Sequence, residues 1–272
     1  MFAIADHNPT RHIRFPYVNW ALIALCTLLF VIQVPWPDYA FTPASLHPVG
    51  GIKPPGGGPE VVGQMVSYMF LHATWLHLIG NMITLWVFGD NIEDAMGHWR
   101  YPLFFILCGM AGAGAEAWLS ADPTVPVIGA SGAIAGVMGA YLLLHPRAKV
   151  LVLVAFRVPV LAPAGLFVGL SVALDVIAAL SEIPGEVRVA FWAHIGGFAA
   201  GALLIVVMRW RDVPLFQPPQ PHPEAGFLGA GRWLPDFGKE RPGGSALWFW
   251  VKATIFFIVV AVLVETVLGG AA

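Results

Sequence analysis

The sequence predicts an all-α polytopic membrane protein. Hydrophobic residues make up 58% of the 272 residues and charged residues only 11%, and the mean hydropathy is +0.74. Soluble domains carry about 25% charged residues. The apolar residues also gather into runs of about 17 to 25, which is the length that crosses a bilayer as a helix. Composition and run length together therefore define the class before any motif is considered.

Seven apolar segments satisfy this length, and we predict a transmembrane helix for each. The second contains two histidines and an asparagine, and the fifth is preceded by the apolar run VLVLVAF at 150–156, which we interpret as leading into that span. The predicted spans are residues 18–34, 65–89, 101–119, 126–144, 159–180, 189–208 and 247–268.

The charges outside the spans predict the orientation. Basic residues accumulate on the cytoplasmic side of membrane proteins. If the N-terminus is inside, Lys53 and Arg188 are the only lysine and arginine residues that fall on the outer side. We expect a multi-pass protein of the cell (inner) membrane, with its first span retained, its N-terminus cytoplasmic and its C-terminus outside. The net charge of −2 and the scattered basic residues predict no nucleic-acid partner. Cys26 and Cys108 lie within apolar runs, which favours buried reduced thiols.

A serine and a histidine lie at similar depth in two of the predicted spans. Ser131 belongs to the stretch GASG and His194 to AHIGGFAAG. With the predicted orientation, both come about five residues into spans that run from outside to inside. An ionisable residue within a span is costly in lipid and marks a functional site by default. Ser131 and His194 are therefore a candidate nucleophile and base.

Small residues beside this pair favour close packing of the two helices. Gly129 and Gly132 flank the serine, and Gly197 and Gly201 form a GxxxG after the histidine. Such faces let helix backbones approach closely in lipid, which would bring the histidine within hydrogen-bonding reach of the serine. The same glycines are also explained by packing alone.

A third polar element lies in the second span, in HATWLHLIGN. His77 and Asn81 are four residues apart and share a helix face. Together with the backbone N–H of Ser131, their N–H groups would suit an oxyanion hole. Hydrogen bonding between helices is an alternative role. A metal site built on His72 and His77 is disfavoured, because a five-residue gap aligns ligands poorly and no Cys, Asp or Glu completes the set.

Four motifs in order give the chain a family resemblance. FLHATWLHLIGNM, FGDNIEDAMGHWR, GASGAIAG and AHIGGFAAG resemble the signature segments of the rhomboid intramembrane serine proteases, over roughly residues 18 to 210. The resemblance implies a six-helix rhomboid-like bundle, with residues 247–268 as an additional C-terminal helix. It also implies cleavage of transmembrane protein substrates near the outer membrane face, through an acyl-enzyme and without a metal or other cofactor.

The resemblance assigns roles residue by residue. Ser131 is the nucleophile and His194 its general base, in a dyad without an acidic third member, and His77 and Asn81 stabilise the oxyanion. Supporting positions are His72, Gly129, Gly132, Gly197 and Gly201. Ala135 departs from the family pattern, because many relatives carry Tyr or Phe there, packed against the catalytic histidine.

Acidic residues and the remaining segments complete the predicted organisation. Glu116, Asp175 and Glu265 lie in or near spans, and for Asp175, expected near the outer end of the fifth span, we favour a structural or solvated role over a catalytic one. Pro- and Gly-rich stretches predict a first loop of undefined shape and a cytoplasmic linker. The predicted segments are 1–17 (cytoplasmic), 18–209 (catalytic membrane domain), 210–246 (linker) and 247–268 (extra helix).

Two other functions are compatible with the same residues. A catalytically inactive relative would bind transmembrane clients; the presence of both Ser131 and His194 disfavours it. A proton-coupled transporter would use His72, His77 and His194 as a relay, although the chain lacks convincing internal symmetry. The partners expected for the protease are transmembrane protein substrates with helix-destabilising segments, together with the lipid bilayer.

Overall fold

The computed structural model of the chain describes residues 2–6, 8, 10–46, 59–154, 158–181 and 189–218. These residues belong to one compact unit, Met1–Pro219. Within them, in chain order, lie β1 (Phe2–Asp6), α1 (Tyr17–Val31), α2 (Pro59–Ser67), α3 (Trp75–Met96), α4 (Arg100–Leu119), α5 (Ser131–Leu144), β2 (Lys149–Val154), β3 (Val158–Pro163), α6 (Ala164–Ser181) and α7 (Phe191–Met208).

Six of the predicted spans coincide with helices, but three of their starts, those of the second, fourth and fifth spans, were predicted wrongly. The second span was predicted as one helix over 65–89, whereas the chain there forms a 3-10 turn at Tyr68–Phe70 and begins a new helix at Trp75. Thr74 is the reason, because its hydroxyl oxygen accepts a hydrogen bond from the backbone N–H of His77 at 3.2 Å and caps α3. The fourth helix begins only at Ser131, after an irregular segment.

A three-stranded antiparallel sheet corrects the prediction of an all-α protein. The strand order is β1-β2-β3, and residues 149–154 pair with residues 158–163 as antiparallel strands. The start of the fifth predicted span is therefore strand and not helix. Short apolar runs rich in valine fit a strand as well as a helix segment. Pro159 and Pro163 lie on the edge strand β3, where a missing N–H is tolerated. The class is thus mainly helical with a small sheet.

Three of the described helices are long and apolar enough to cross a membrane, namely α4, α6 and α7. α1 and α5 are apolar but shorter. In α6 the exposed side chains are large and apolar: Leu166, Leu170, Leu174, Ile177 and Leu180. A surface of this kind is unusual in water and natural against lipid tails. The structure therefore supports an integral membrane protein, while the total of seven spans is not confirmed, because the span predicted at 247–268 lies outside the described residues.

Glycines bring α5 and α7 into direct backbone contact. Gly197 packs on the carbonyl oxygen of Gly132, and Gly201 packs on that of Gly136, so a β-carbon at either position of α7 would collide with the backbone of α5. Gly139 meets the carbonyl oxygen of Phe198 in the same way. The predicted close packing of these two spans through small residues is confirmed.

The acidic C-terminal end of α3 holds the segment before α1. Carboxylate oxygens of Asp94 accept hydrogen bonds from the backbone N–H groups of Arg11, His12 and Ile13 at 2.6 to 2.9 Å. Glu93 likewise accepts from the N–H of Asn19 at 2.7 Å, satisfying a free donor in the first turn of α1. The motif FGDNIEDAMG is therefore an anchor for the N-terminal segment.

Candidate active site

Ser131 is the first residue of α5 and is partly exposed. The loop before it is fixed at two points: Phe41 and Val127 form an antiparallel bridge, and the N–H of Gly129 donates to the carbonyl oxygen of Tyr68 at 2.9 Å. Gly129 has a φ of +119°, which residues with a β-carbon rarely adopt. The serine therefore sits at a helix N-terminus, where backbone N–H groups are free and the helix dipole favours negative charge.

The predicted oxyanion residues lie against the loop that carries Ser131. A β-carbon built on Gly129 would stand 2.5 Å from Nε2 of His77 and 3.6 Å from Nδ2 of Asn81. Both residues come from the first two turns of α3. The structure thus brings His77 and Asn81 together beside the backbone two residues before the serine.

His72 supports this pair from the loop before α3. Its Nε2 lies 3.0 Å from Nδ2 of Asn81, and its ring centroid is 5.1 Å from that of His77. Because an amide NH2 can only donate, Nε2 of His72 accepts and the ring proton lies on Nδ1. The hydrogen bond ties the side chain of Asn81 to the loop before α3.

His194 lies in the first turn of α7. The residue before it, Ala193, packs against Gly132 of the serine helix α5. The carbonyl oxygen of Ala193 lies 3.4 Å from the place where a β-carbon of Gly132 would stand. These two residues adjoin His194 and Ser131 respectively. Ser131, His194 and the pair of His77 and Asn81 therefore lie on three helices, α5, α7 and α3, of which α5 contacts both of the others.

Three residues beside the site have contacts that the sequence did not reveal. Oε2 of Glu116 accepts a hydrogen bond from the N–H of Ala193 at 3.0 Å, which stabilises the first turn of α7. The hydroxyl of Tyr68 donates to the carbonyl oxygen of Gly109 at 2.8 Å. Asp175 places Oδ2 3.2 Å from Nδ1 of His194, so its hydrogen-bonded neighbour is the candidate base itself. An acid within a predicted span was the only available signal for Glu116 and Asp175.

Other groups in this region offer little to a metal ion. Within the described ranges, no three His, Cys, Asp or Glu side chains converge in a way that would hold one. Cys26 and Cys108 are both buried and free, as predicted. The polar groups in this region are a hydroxyl, imidazoles, an amide and backbone N–H groups. Groups of these kinds serve as nucleophile, base and oxyanion donors in acyl transfer.

The long apolar helices and the exposed apolar side chains of α6 define an integral membrane protein. The rhomboid domain model matches residues 59–211, which is more than half of the chain. The chain belongs to the rhomboid family. Members of this family are generally intramembrane serine proteases, and some homologues are inactive.

Individual relatives are similar to part of the chain. The chain is 31% identical over 151 residues to Rhomboid protein 1, mitochondrial, of Saccharomyces cerevisiae, covering 54% of this chain and 35% of the yeast protein. It is 31% identical over 169 residues to Rhomboid-related protein 2 of Mus musculus, covering 59% and 53%. With Rhomboid-like protease 5 of Toxoplasma gondii it shares 30% over 165 residues, covering 55% and 17%. The chain thus spans less than two thirds of each relative.

Proposed function

We propose that this protein is an intramembrane serine endopeptidase that cleaves transmembrane proteins, with Ser131 as nucleophile and His194 as general base. The observation that carries the proposal is the convergence at the start of α5. His77 and Asn81 lie beside Gly129 of the serine loop, and Gly132 faces Ala193 of the histidine helix. Family membership supports the same reaction class.

The reaction proceeds by acyl transfer. Ser131 Oγ attacks the carbonyl carbon of the scissile peptide bond while its proton passes to His194. The oxyanion accepts hydrogen bonds from the backbone N–H of Ser131 and from the side chains of His77 and Asn81, at the positive end of the α5 dipole. His194 then gives its proton to the leaving amine, and water activated by His194 hydrolyses the ester.

The substrate on this proposal is a membrane-spanning segment that unwinds near the site. An intact helix keeps its carbonyl groups hydrogen-bonded within lipid, so segments with helix-weakening residues are the preferred clients. We place the cleavage near the outer face of the cell (inner) membrane, with the N-terminus cytoplasmic and the C-terminus outside. Gly197 and Gly201 contribute by holding the histidine helix on the serine helix.

Cleavage of a single-span reporter in proteoliposomes tests the proposal. Wild-type protein is expected to give one product, which Ser131→Ala and His194→Ala abolish. Ser171→Ala is the matched control, since the Ser171 hydroxyl donates to the carbonyl oxygen of Phe167 within α6 and the variant keeps full activity. Product formation by Ser131→Ala would contradict the assigned nucleophile. Binding of the reporter without cleavage by wild-type protein would identify an inactive, client-binding member of the family.

A further inference from the structure

Asp175, an acidic residue on α6, forms a hydrogen bond with the candidate base, His194. Oδ2 of Asp175 lies 3.2 Å from Nδ1 of His194, and the two side chains are 28% and 17% exposed. We propose that Asp175 is a positioning residue for His194, which orients the base of the Ser131–His194 dyad. This inference rests on the proposed function. It makes the structural role expected for Asp175 specific, because the group that it holds is the candidate base.

The hydrogen bond selects the tautomer that the reaction needs. An ionised carboxylate can only accept, so the bonded Nδ1 carries the ring proton. Nε2 is then left with a free lone pair, which is the form that accepts a proton from a serine hydroxyl. The carboxylate also favours the imidazolium that forms when Ser131 loses its proton, because opposite charges lie within hydrogen-bond distance.

The neighbours of His194 give Asp175 a further task. Ala135, one turn into α5, contributes only a methyl group. Among the described residues, the aromatic ring that contacts the imidazole is that of Phe191, which belongs to α7 itself and approaches at 6.3 Å with the planes at 86°. A ring on the same helix moves with the histidine and does not tie it to the bundle. Asp175 supplies a tie from a different helix, in place of packing by a large side chain at position 135.

The position of Asp175 supports this role. It lies on the helix whose exposed side chains are leucines and isoleucine, where a carboxylate is costly unless it has a partner. Other titratable groups that face His194 are Glu116 from α4 and His77 from α3. Glu116 is engaged with the backbone of Ala193, and an imidazole cannot replace a carboxylate. Asp175 is therefore the acid that orients the ring.

The test compares Asp175→Asn and Asp175→Glu with wild-type protein in the reporter assay, with Ser171→Ala as the control on the same helix. Asp175→Asn is expected to lower kcat by roughly 10- to 100-fold with KM within about twofold, because the loss is in alignment and not in binding. Asp175→Glu should recover part of kcat.

A direct measurement of the His194 tautomer tests the role of Asp175 separately from the proposed function. In protein labelled with 15N-histidine, the His194 signals are expected to report Nδ1–H in wild-type protein and a mixture of tautomers in Asp175→Asn. Unchanged kcat and tautomer in Asp175→Asn, with wild type active and Ser131→Ala inactive, would overturn the role of Asp175 alone. Inactive wild-type protein would defeat the proposed function and the catalytic role of Asp175 together.

Discussion

Gly132 and Gly197 meet backbone to backbone, one residue after the candidate nucleophile and three residues after the candidate base. Gly197 packs on the carbonyl oxygen of Gly132 and stands against its α-carbon. Backbone atoms cannot move aside as a flexible side chain can, so this contact sets the distance between α5 and α7. The distance between Ser131 and His194 therefore depends on glycine at both position 132 and position 197.

Adding one methyl group at this crossing should separate the two helices. Gly197→Ala is expected to lower the free energy of unfolding by about 1 to 3 kcal/mol, the usual cost of overpacking, and to reduce cleavage in parallel. Gly169→Ala is the matched control, because a β-carbon there meets nothing within 4 Å. Its stability should be unchanged or raised by up to about 1 kcal/mol. Thermal unfolding in detergent measures both, and equal behaviour of the two variants would refute the crossing as a constraint.

The two interpretations of Asn81 predict different losses. As an oxyanion donor, Asn81→Ala should lower kcat by about 100-fold with little change in KM. The hydrogen bond to His72 is removed equally by His72→Ala, which serves as the control for a purely structural role. If both variants lose the same small amount of activity together with stability, then Asn81 has a structural hydrogen-bonding role and does not stabilise the oxyanion.

Loss of the Asp94 carboxylate should release the N-terminal segment. Asp94→Ala leaves the N–H groups of Arg11, His12 and Ile13 without their acceptor, at a cost of about 1 to 3 kcal/mol. Limited trypsin digestion after Arg11 and Arg14 is expected to accelerate roughly tenfold or more. Asp38→Ala, at an exposed position, should digest at the wild-type rate. An unchanged digestion rate in Asp94→Ala would count against the anchor.

His145, which follows the last turn of α5, should make the protein less stable in acid. Burial lowers the pKa of His145 from 6.5 to about 4, and the positive charge of Arg11 adds to the decrease while Asp94 opposes it. Between these two values the unfolded chain binds a proton that the folded chain does not, so the stabilisation present above pH 6.5 declines as the pH falls towards 4. The expected loss from this group is about 2 to 3 kcal/mol.

The variant His145→Asn isolates this contribution. Unfolding measured between pH 4 and 8 should show a flatter pH dependence in the variant than in wild-type protein, whereas the other titrating groups act on both equally. Parallel curves for the two proteins would show that His145 does not titrate on unfolding.

The helical core was predictable because apolar run length is a direct physical requirement of the bilayer. The error at the second span came from Thr74, whose cap restarts the helix, and the error at 159–163 came from a short apolar segment that fits strand and helix alike. In each case the deciding contact was one hydrogen bond or one strand partner. A linear pattern does not contain either contact.

The sequence by itself determined that this is a mainly helical membrane protein, and it singled out Ser131, His194, His77 and Asn81, because polar groups within apolar spans are too costly to occur without a purpose. Only the tertiary structure decided how those residues meet. It placed Gly132 on Gly197 and Asp175 on His194, since partners supplied by separate helices are set by packing angle and rotation, which no residue spacing along one chain encodes.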